Sequence, residues 1–188
     1  MRIGIIDFGT NTIRLDIFEV DGDNYSIIFD NAIFSHIIEN TVGNSLSQDG
    51  IEYVIQAIEE QQAAGRHYHC DKIECFSTAS LRYIDNADAV VEQVAFRSGI
   101  NIKRISGDEE ASYDYRALKR ASGCEYGVGC DLGGGSLQVF TFDENGPMKS
   151  QSFALGSSRM AKEYVSGEIP TAEEAAAIMR RVKSELSA

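Results

Sequence analysis

Two segments of the sequence combine an acidic residue with a short glycine-containing turn. Residues 6–11 read Ile-Asp-Phe-Gly-Thr-Asn and residues 130–136 read Cys-Asp-Leu-Gly-Gly-Gly-Ser, with the two aspartates 124 positions apart (131 minus 7). Glycines let backbone N–H groups approach an anion closely, and a hydroxyl in each turn adds a donor. Carboxylates cannot face phosphate directly, so Asp7 and Asp131 need a cation or a water between them and the anion. The repeated pattern predicts a phosphate site, with Asp7 and Asp131 as the candidate ligands of this cation or water.

The candidate phosphate ligands lie in the two turns. They are Gly9, Thr10 and Asn11 in the first segment and Gly133, Gly134, Gly135 and Ser136 in the second. A dinucleotide-binding fingerprint fits poorly, because strand-like residues follow these glycines where that motif needs the N-terminus of a helix. The sequence also lacks a G-x-x-x-x-G-K-S/T motif.

Hydrophobic periodicity places both turns between short strands. Strands are predicted at residues 3–7, 12–20, 25–34, 73–77, 100–105, 126–132, 137–142 and 148–155, and helices around residues 51–58, 87–98, 108–121 and 171–187. The order of elements after residue 123 repeats the start of the chain and then stops, which indicates an internal repeat with an incomplete second copy. We therefore predict two domains, residues 1–122 and 123–188. Matching turns in repeated domains should converge on one ligand, so Asp7 and Asp131 are expected to face one another across a cleft.

The incomplete second sheet has consequences for assembly. One of its strands is expected to have an unpaired edge, which is a template for pairing with another chain. The helix that begins at Thr171 also carries an apolar stripe that no predicted element covers. We therefore expect a homodimer.

Composition limits the classes of protein. The chain has 188 residues, 43% hydrophobic and 24% charged, which is typical of a globular protein and not of a disordered one. The net charge of −12 argues against a nucleic-acid partner, because phosphate backbones are held by clustered Lys and Arg. We expect no membrane partner and a cytoplasmic location, since no apolar run is long enough to cross a bilayer and no signal peptide precedes the first strand.

Four motifs resemble those of the exopolyphosphatase/guanosine pentaphosphate phosphatase family. Residues 6–15 (Ile-Asp-Phe-Gly-Thr-Asn-Thr-Ile-Arg-Leu) resemble its opening, which reads approximately I-D-I-G-S-N-S-x-R-L. Residues 77–82 (Ser-Thr-Ala-Ser-Leu-Arg) resemble its A-T-S-A-x-R segment, and residues 105–111 (Ile-Ser-Gly-Asp-Glu-Glu-Ala) resemble I-S-G-x-E-E-A. Residues 131–136 (Asp-Leu-Gly-Gly-Gly-Ser) resemble D-I-G-G-G-S, and residues 156–159 look like the segment that follows.

The resemblance implies an α/β fold of the actin-like ATPase (ribonuclease H-like) type, with mixed sheets flanked by helices and the second domain incomplete. It implies a magnesium-dependent phosphatase that releases terminal phosphate from inorganic polyphosphate or guanosine pentaphosphate by water attack in the interdomain cleft. Glu110 aligns with the family's catalytic base, and Arg82 aligns with its phosphate-binding arginine. Glu109 is explained by a capping box with Ser106, so the two adjacent acids are expected to have different roles.

The sequence departs from the family pattern at three places, and each lowers the positive or metal-binding character of the expected cleft. Gln138 stands where the family usually has Glu, Ser112 stands where it often has Arg, and residues 36–47 contain no Lys or Arg. Two other functions therefore stay open. One is a protein that binds polyphosphate or a nucleotide polyphosphate without turning it over, and the other is a kinase of the same superfamily. The motifs at residues 77–82 and 105–111 favour the phosphatase and the binding protein over the kinase.

Overall fold

The structure, a computed structural model, describes residues 1–187. These residues form two compact units, Met1–Ile105 and a second that begins at Ser106. Each unit has a sheet and apolar clusters of its own. No helix among the described residues is long and apolar enough to cross a bilayer.

The first unit contains a five-stranded mixed sheet and three helices. Its elements are β1 (Arg2–Phe8), β2 (Thr12–Asp21), β3 (Asn24–Phe34), β4 (Thr41–Val42), β5 (Ser45–Leu46), α1 (Gln48–His67), β6 (Lys72–Ser77), α2 (Ala79–Arg82), α3 (Ala87–Ser98) and β7 (Ile102–Arg104). The main sheet has the order β3-β2-β1-β6-β7, with β4 and β5 forming a separate two-stranded ribbon. Strands β1, β2 and β3 pair antiparallel, whereas β6 runs parallel to β1 and β7 parallel to β6.

The core of the first unit follows from the alternation of buried residues along its strands and from the apolar stripe along its long helix. Alternate residues of β1 and β2 point to one face of the sheet and are buried there. The apolar stripe predicted for α1 packs against them and confirms that helix. The core residues contributed by these three elements include Ile6, Phe8, Ile13, Leu15, Ile17, Ile51, Val54, Ile55 and Ile58.

The second unit contains a three-stranded antiparallel sheet and three helices. Its elements are α4 (Gly107–Ser122), β8 (Gly127–Leu132), β9 (Leu137–Asp143), β10 (Gly146–Phe153), α5 (Ser157–Tyr164) and α6 (Ala172–Leu186). The strand order is β10-β9-β8, so β8 lies at an edge within the described part of the chain. The predicted capping box of Ser106 and Glu109 is present at the N-terminus of α4, and Thr171 and Glu174 form a second one at the N-terminus of α6. A homodimer stays a prediction.

Helix α4 packs on the sheet of the second unit. Ala111 and Tyr115 on its inner face form a buried cluster with Phe140 and Phe142 of β9. The compact units accordingly divide between Ile105 and Ser106, whereas the sequence analysis placed this helix in the first domain. The apolar stripe of a helix shows which face is buried but not which sheet covers it.

Candidate active site

The glycine-rich turn of the second unit joins β8 to β9. The N–H of Gly133 donates to the carbonyl oxygen of Ser136 (3.0 Å) and closes the turn. In the register of the two strands Asp131 lies opposite Gln138. Residues directly opposite in an antiparallel pair have neighbouring side chains on one face of the sheet. Asp131, a predicted metal ligand, and Gln138, which departs from the family pattern, are therefore neighbours beside this turn.

Helix α5 holds the turn through the N–H groups of its first residues. The N–H of Ser157 donates to the carbonyl oxygen of Gly133 (2.9 Å), and the N–H groups of the next two residues donate to that of Gly134 (3.0 and 3.1 Å). These are groups that a helix N-terminus otherwise leaves without an intrahelical partner. The guanidinium of Arg159 adds a hydrogen bond to the carbonyl oxygen of Gly135 (3.3 Å).

A glycine immediately before α5 makes this contact possible. A Cβ atom placed on Gly156 would lie 2.3 Å from backbone atoms of both Gly134 and Gly135. No side chain fits between the two backbones, so the turn and the helix touch directly. The N–H groups of Gly134 and Gly135 make no hydrogen bond to any described residue. Adjacent N–H groups without partners are suited to binding an anion such as phosphate.

Glu110 lies in the first turn of α4, with only 8% of its surface exposed. The side-chain amide nitrogen Nε2 of Gln138 donates to its Oε2 at 2.8 Å. The same nitrogen lies 2.7 Å from the hydroxyl oxygen of Ser136. One buried amide therefore links the predicted base to the glycine-rich turn.

The neighbouring glutamate, Glu109, forms the capping box that the sequence predicts. The carboxylate of Glu109 accepts a hydrogen bond from the N–H of Ser106 (2.9 Å), and the hydroxyl of Ser106 accepts one from the N–H of Glu109 (3.2 Å). This capping box is exposed, whereas Glu110 is buried. The contrast agrees with a structural role for Glu109.

The turn of the first unit, residues 9–12, is closed in the same way. The N–H of Gly9 donates to the carbonyl oxygen of Thr12 (2.9 Å). Asp7 lies near the end of β1, is exposed, and stands opposite Arg14 of β2. This pair occupies the positions that correspond to Asp131 and Gln138 in the second unit, which confirms the repeat at the level of backbone hydrogen bonding and register.

Side chains support the turn of the first unit. The hydroxyl of Ser35 donates to the carbonyl oxygen of Thr10, and its backbone N–H donates to that of Asn11 (2.8 Å). The hydroxyl of Ser80 donates to the carbonyl oxygen of Phe8. Thr10 and both serines are buried, whereas Asn11 is exposed. The turn is thus fixed by two hydroxyl groups from other segments.

Arg82 ends the short helix α2, which the sequence analysis did not predict. Its guanidinium donates to the carbonyl oxygen of Ile105 (3.2 Å), and its side chain is half-buried. Ser80 on the same helix ties α2 to the turn of the first unit. The structure therefore connects Arg82 to that turn through one helix, and its role in binding phosphate stays a prediction.

The sequence model of the Ppx/GppA phosphatase family matches residues 18–188. The chain belongs to this family. It is 24% identical over its full length to exopolyphosphatase 1 of Mycobacterium tuberculosis and covers 56% of that protein. It is also 28% identical over 170 residues to the bifunctional 3-dehydroquinate synthase/phosphatase of Fusobacterium nucleatum, covering 85% of this chain and 26% of that protein. The chain spans a little over half the length of the curated exopolyphosphatases that it matches.

Solved structures place the chain in the expected fold. An exopolyphosphatase from Cytophaga hutchinsonii matches with a TM-score of 0.83 at 19% identity, over 93% of this chain and 57% of that one. The Aquifex aeolicus Ppx/GppA enzyme matches with a TM-score of 0.72 at 26% identity, over 100% and 63% of the respective chains. A more distant match, with a TM-score of 0.51 and 16% identity, is the ethanolamine utilization protein EutJ from Carboxydothermus hydrogenoformans. The fold is that of the actin-like ATPases, as predicted.

Asp114 is a residue of the site that the sequence analysis missed. It follows Glu110 by one helical turn, and its buried Oδ2 has no hydrogen-bond partner among the described residues. Burial, followed by the nearby negative charges of Asp131 and Glu110, raises the pKa of the Asp114 carboxyl to about 7. The spacing of four residues on α4 was the available signal, because residues at that separation share a helix face.

The acidic residues in the described part of this Ppx/GppA chain do not by themselves form a metal-binding cluster. Within residues 1–187 no three His, Cys, Asp or Glu side chains group closely enough to hold a metal. Mg²⁺ commonly retains waters and is held by one or two carboxylates together with substrate phosphates. The donor chemistry of Asp7 and Asp131 fits that kind of site, and their role as metal ligands stays a prediction.

Proposed function

We propose that this protein is a phosphoanhydride hydrolase that releases terminal phosphate from a polyphosphate chain, with Glu110 as the general base. The observation that supports this most is the pair of hydrogen bonds made by one nitrogen of Gln138, to Glu110 and to Ser136. It joins a buried carboxylate to a turn with unpaired N–H groups. A base and an anion site this close together are what water attack on phosphate needs.

Substrate phosphate would be held by backbone and hydroxyl donors. In the second unit these are the N–H groups of Gly134 and Gly135 and the hydroxyl of Ser136. The candidate donors of the first unit are residues 9–11, and Arg82 has a planar guanidinium suited to bidentate phosphate contact. A terminal phosphate bound by the donors of the second unit would present its phosphorus atom to a water near Glu110.

The carboxylate of Glu110 would accept a proton from that water while the oxygen of the water forms a bond to phosphorus. The bond from phosphorus to the bridging oxygen breaks, and the shortened chain leaves. The protein has a net charge of −12 and the substrate is a polyanion, so a cation is needed to offset the repulsion. We propose that Mg²⁺ neutralises phosphate charge, with Asp131 and Asp7 as its candidate ligands in their respective units.

Inorganic polyphosphate is the substrate that we favour over guanosine pentaphosphate. The mycobacterial relatives are exopolyphosphatases by name, although this chain matches only about half of their length. The test is phosphate release from each substrate in Mg²⁺ and again in EDTA. We expect release that requires Mg²⁺ and is faster with polyphosphate, and absence of release from both substrates would contradict the proposed hydrolase.

Binding without hydrolysis is the second candidate function, favoured by the neutral Gln138 at a position where the family usually has Glu. Calorimetry with polyphosphate, read together with the phosphate-release assay, separates the two candidates. A sensor binds polyphosphate in Mg²⁺ and releases no phosphate from it. A cytoplasmic location and a homodimer are further parts of this proposal, and light scattering at micromolar concentration tests the second.

A further inference from the structure

Gln138 is among the most buried polar side chains of the candidate active site. Only 1% of its surface is exposed, and its Nε2 lies 2.8 Å from the Glu110 carboxylate and 2.7 Å from the Ser136 hydroxyl. A third oxygen, the hydroxyl of Ser152, lies 3.4 Å from the same nitrogen. The amide nitrogen is thus surrounded by oxygen atoms that can accept hydrogen bonds from its N–H groups.

The charge of this side chain decides how Glu110 can be held. A carboxylate at position 138 would place two negative groups at hydrogen-bond distance, which is stable only with a shared proton or a cation between them. Asp114 and Asp131 lie near enough to add repulsion. An amide avoids this cost, because it donates a hydrogen bond and carries no charge.

We propose that Gln138 is a positioning residue that orients Glu110 through a neutral hydrogen bond, so that the placement of Glu110 does not depend on a divalent cation between the two side chains. The catalytic consequence rests on the proposed hydrolase function. The oxygen of the amide, Oε1, is buried and has no partner among the described residues. Gln138 is therefore held from its donor side, as a role in orienting a carboxylate requires.

Two substitutions and one control test this role. Gln138→Met keeps the length of the side chain and removes the donor, so kcat should fall about 10–100-fold with KM within about twofold, because a misoriented base slows the chemical step. Gln138→Glu keeps the shape and adds a charge, so Mn²⁺ measured by calorimetry without substrate should bind at least about tenfold more tightly than to the unchanged protein. Ser152→Ala removes the most distant contact and should leave kcat and Mn²⁺ affinity within about twofold.

The results separate this inference from the proposed function. Unchanged kcat in Gln138→Met, or unchanged Mn²⁺ affinity in Gln138→Glu, overturns the positioning role. If the unchanged protein releases no phosphate, the hydrolase proposal fails, and crystal structures of Gln138→Met and Gln138→Glu without metal decide the positioning role instead. A Glu110 side chain that turns away in both supports it, and one that stays in place overturns it.

Discussion

The two glycine-containing turns share their closing hydrogen bond but differ in what holds their carbonyl oxygens. In the first unit the hydroxyls of Ser35 and Ser80 and the backbone N–H of Ser35 bind carbonyl oxygens of the turn and of the residue before it. In the second unit the first backbone N–H groups of α5 and the guanidinium of Arg159 do so. The residues opposite the two aspartates differ as well. Arg14 is exposed and lies within 4.0 Å of acidic neighbours, and Gln138 is a buried amide.

The difference shows that a repeat can conserve a turn while its surroundings diverge. The conserved part is the strand, the acid and the backbone bend. The supporting part depends on which segment follows in each unit. Within residues 1–187, only the second unit has a turn joined to a buried carboxylate through a single side chain, so the proposed chemical step belongs to that unit and the first is expected to contribute binding.

The largest effect is expected at Gly156, where the backbone at the start of α5 directly contacts the backbone of the turn. In Gly156→Ala the new Cβ would lie 2.3 Å from the backbone of residues 134 and 135, so α5 or the turn must move. We expect a loss of about 1–3 kcal/mol in the free energy of unfolding and at least about tenfold weaker polyphosphate binding. Denaturant unfolding and calorimetry measure these quantities.

Gly167→Ala is the matched control, because a Cβ there meets no atom within 4 Å. Its stability and affinity should equal those of the unchanged protein. Equal effects of the two substitutions would mean that the contact between α5 and the turn is not what holds the site.

Removing hydroxyl groups should affect the two turns unequally. Ser80→Ala leaves the carbonyl oxygen of Phe8 without its hydroxyl donor in a buried place, and we expect a loss of about 1–3 kcal/mol. Ser157→Ala removes only a 3.3 Å contact to the carbonyl oxygen of Gly133, which keeps its backbone donor, so stability should change by less than about 0.5 kcal/mol. Thermal unfolding of both variants is the measurement, and similar losses would contradict the difference in support.

A smaller effect is expected from the ionisation of Asp114. Its pKa is raised to about 7 in the folded state, above its ordinary value of 3.8, so the folded protein binds more protons than the unfolded chain between these values. Its contribution to stability is therefore fully present below pH 3.8 and is lost as pH rises through 7. Asp114→Asn should be more stable than the unchanged protein at pH 8 by about 1–2 kcal/mol, a figure reduced for solvent screening of a partly exposed group.

The measurement is the free energy of unfolding of both proteins at pH 5 and pH 8. The advantage of the Asn variant should be larger at pH 8 than at pH 5. The same advantage at both pH values would show that Asp114 does not titrate with a raised pKa.

The sequence predicted the elements with strong periodicity and missed those that depend on tertiary contacts. The long stripe of α1 and the capping boxes of α4 and α6 gave correct helices, because both signals are local. Helix α5 has eight residues and a polar composition, and its first residues find their partners in a distant turn. No local pattern contains that information.

The candidate site was likewise predictable where the signals are local in the sequence, and not where they depend on tertiary contacts. The acids and glycines of both turns follow from residue types and spacing, and the register that sets Asp131 opposite Gln138 follows from the tight turn between two strands. The hydrogen bond from Gln138 to Glu110 could not be predicted, because it depends on α4 packing on the second sheet. The predicted domain boundary after residue 122 places that helix in the first domain.

The central claim is that the buried Glu110, and not its exposed neighbour, is the base. Phosphate release from polyphosphate in Mg²⁺ should be compared for the unchanged protein, Glu110→Gln and Glu109→Gln. We expect Glu110→Gln to reduce the rate by about 10²–10⁴ with little change in binding, because a positioned base is lost and the volume is kept. Glu109→Gln should retain the rate within about twofold, since Gln also serves in a capping box. Equal losses in the two variants would contradict the assignment of the base.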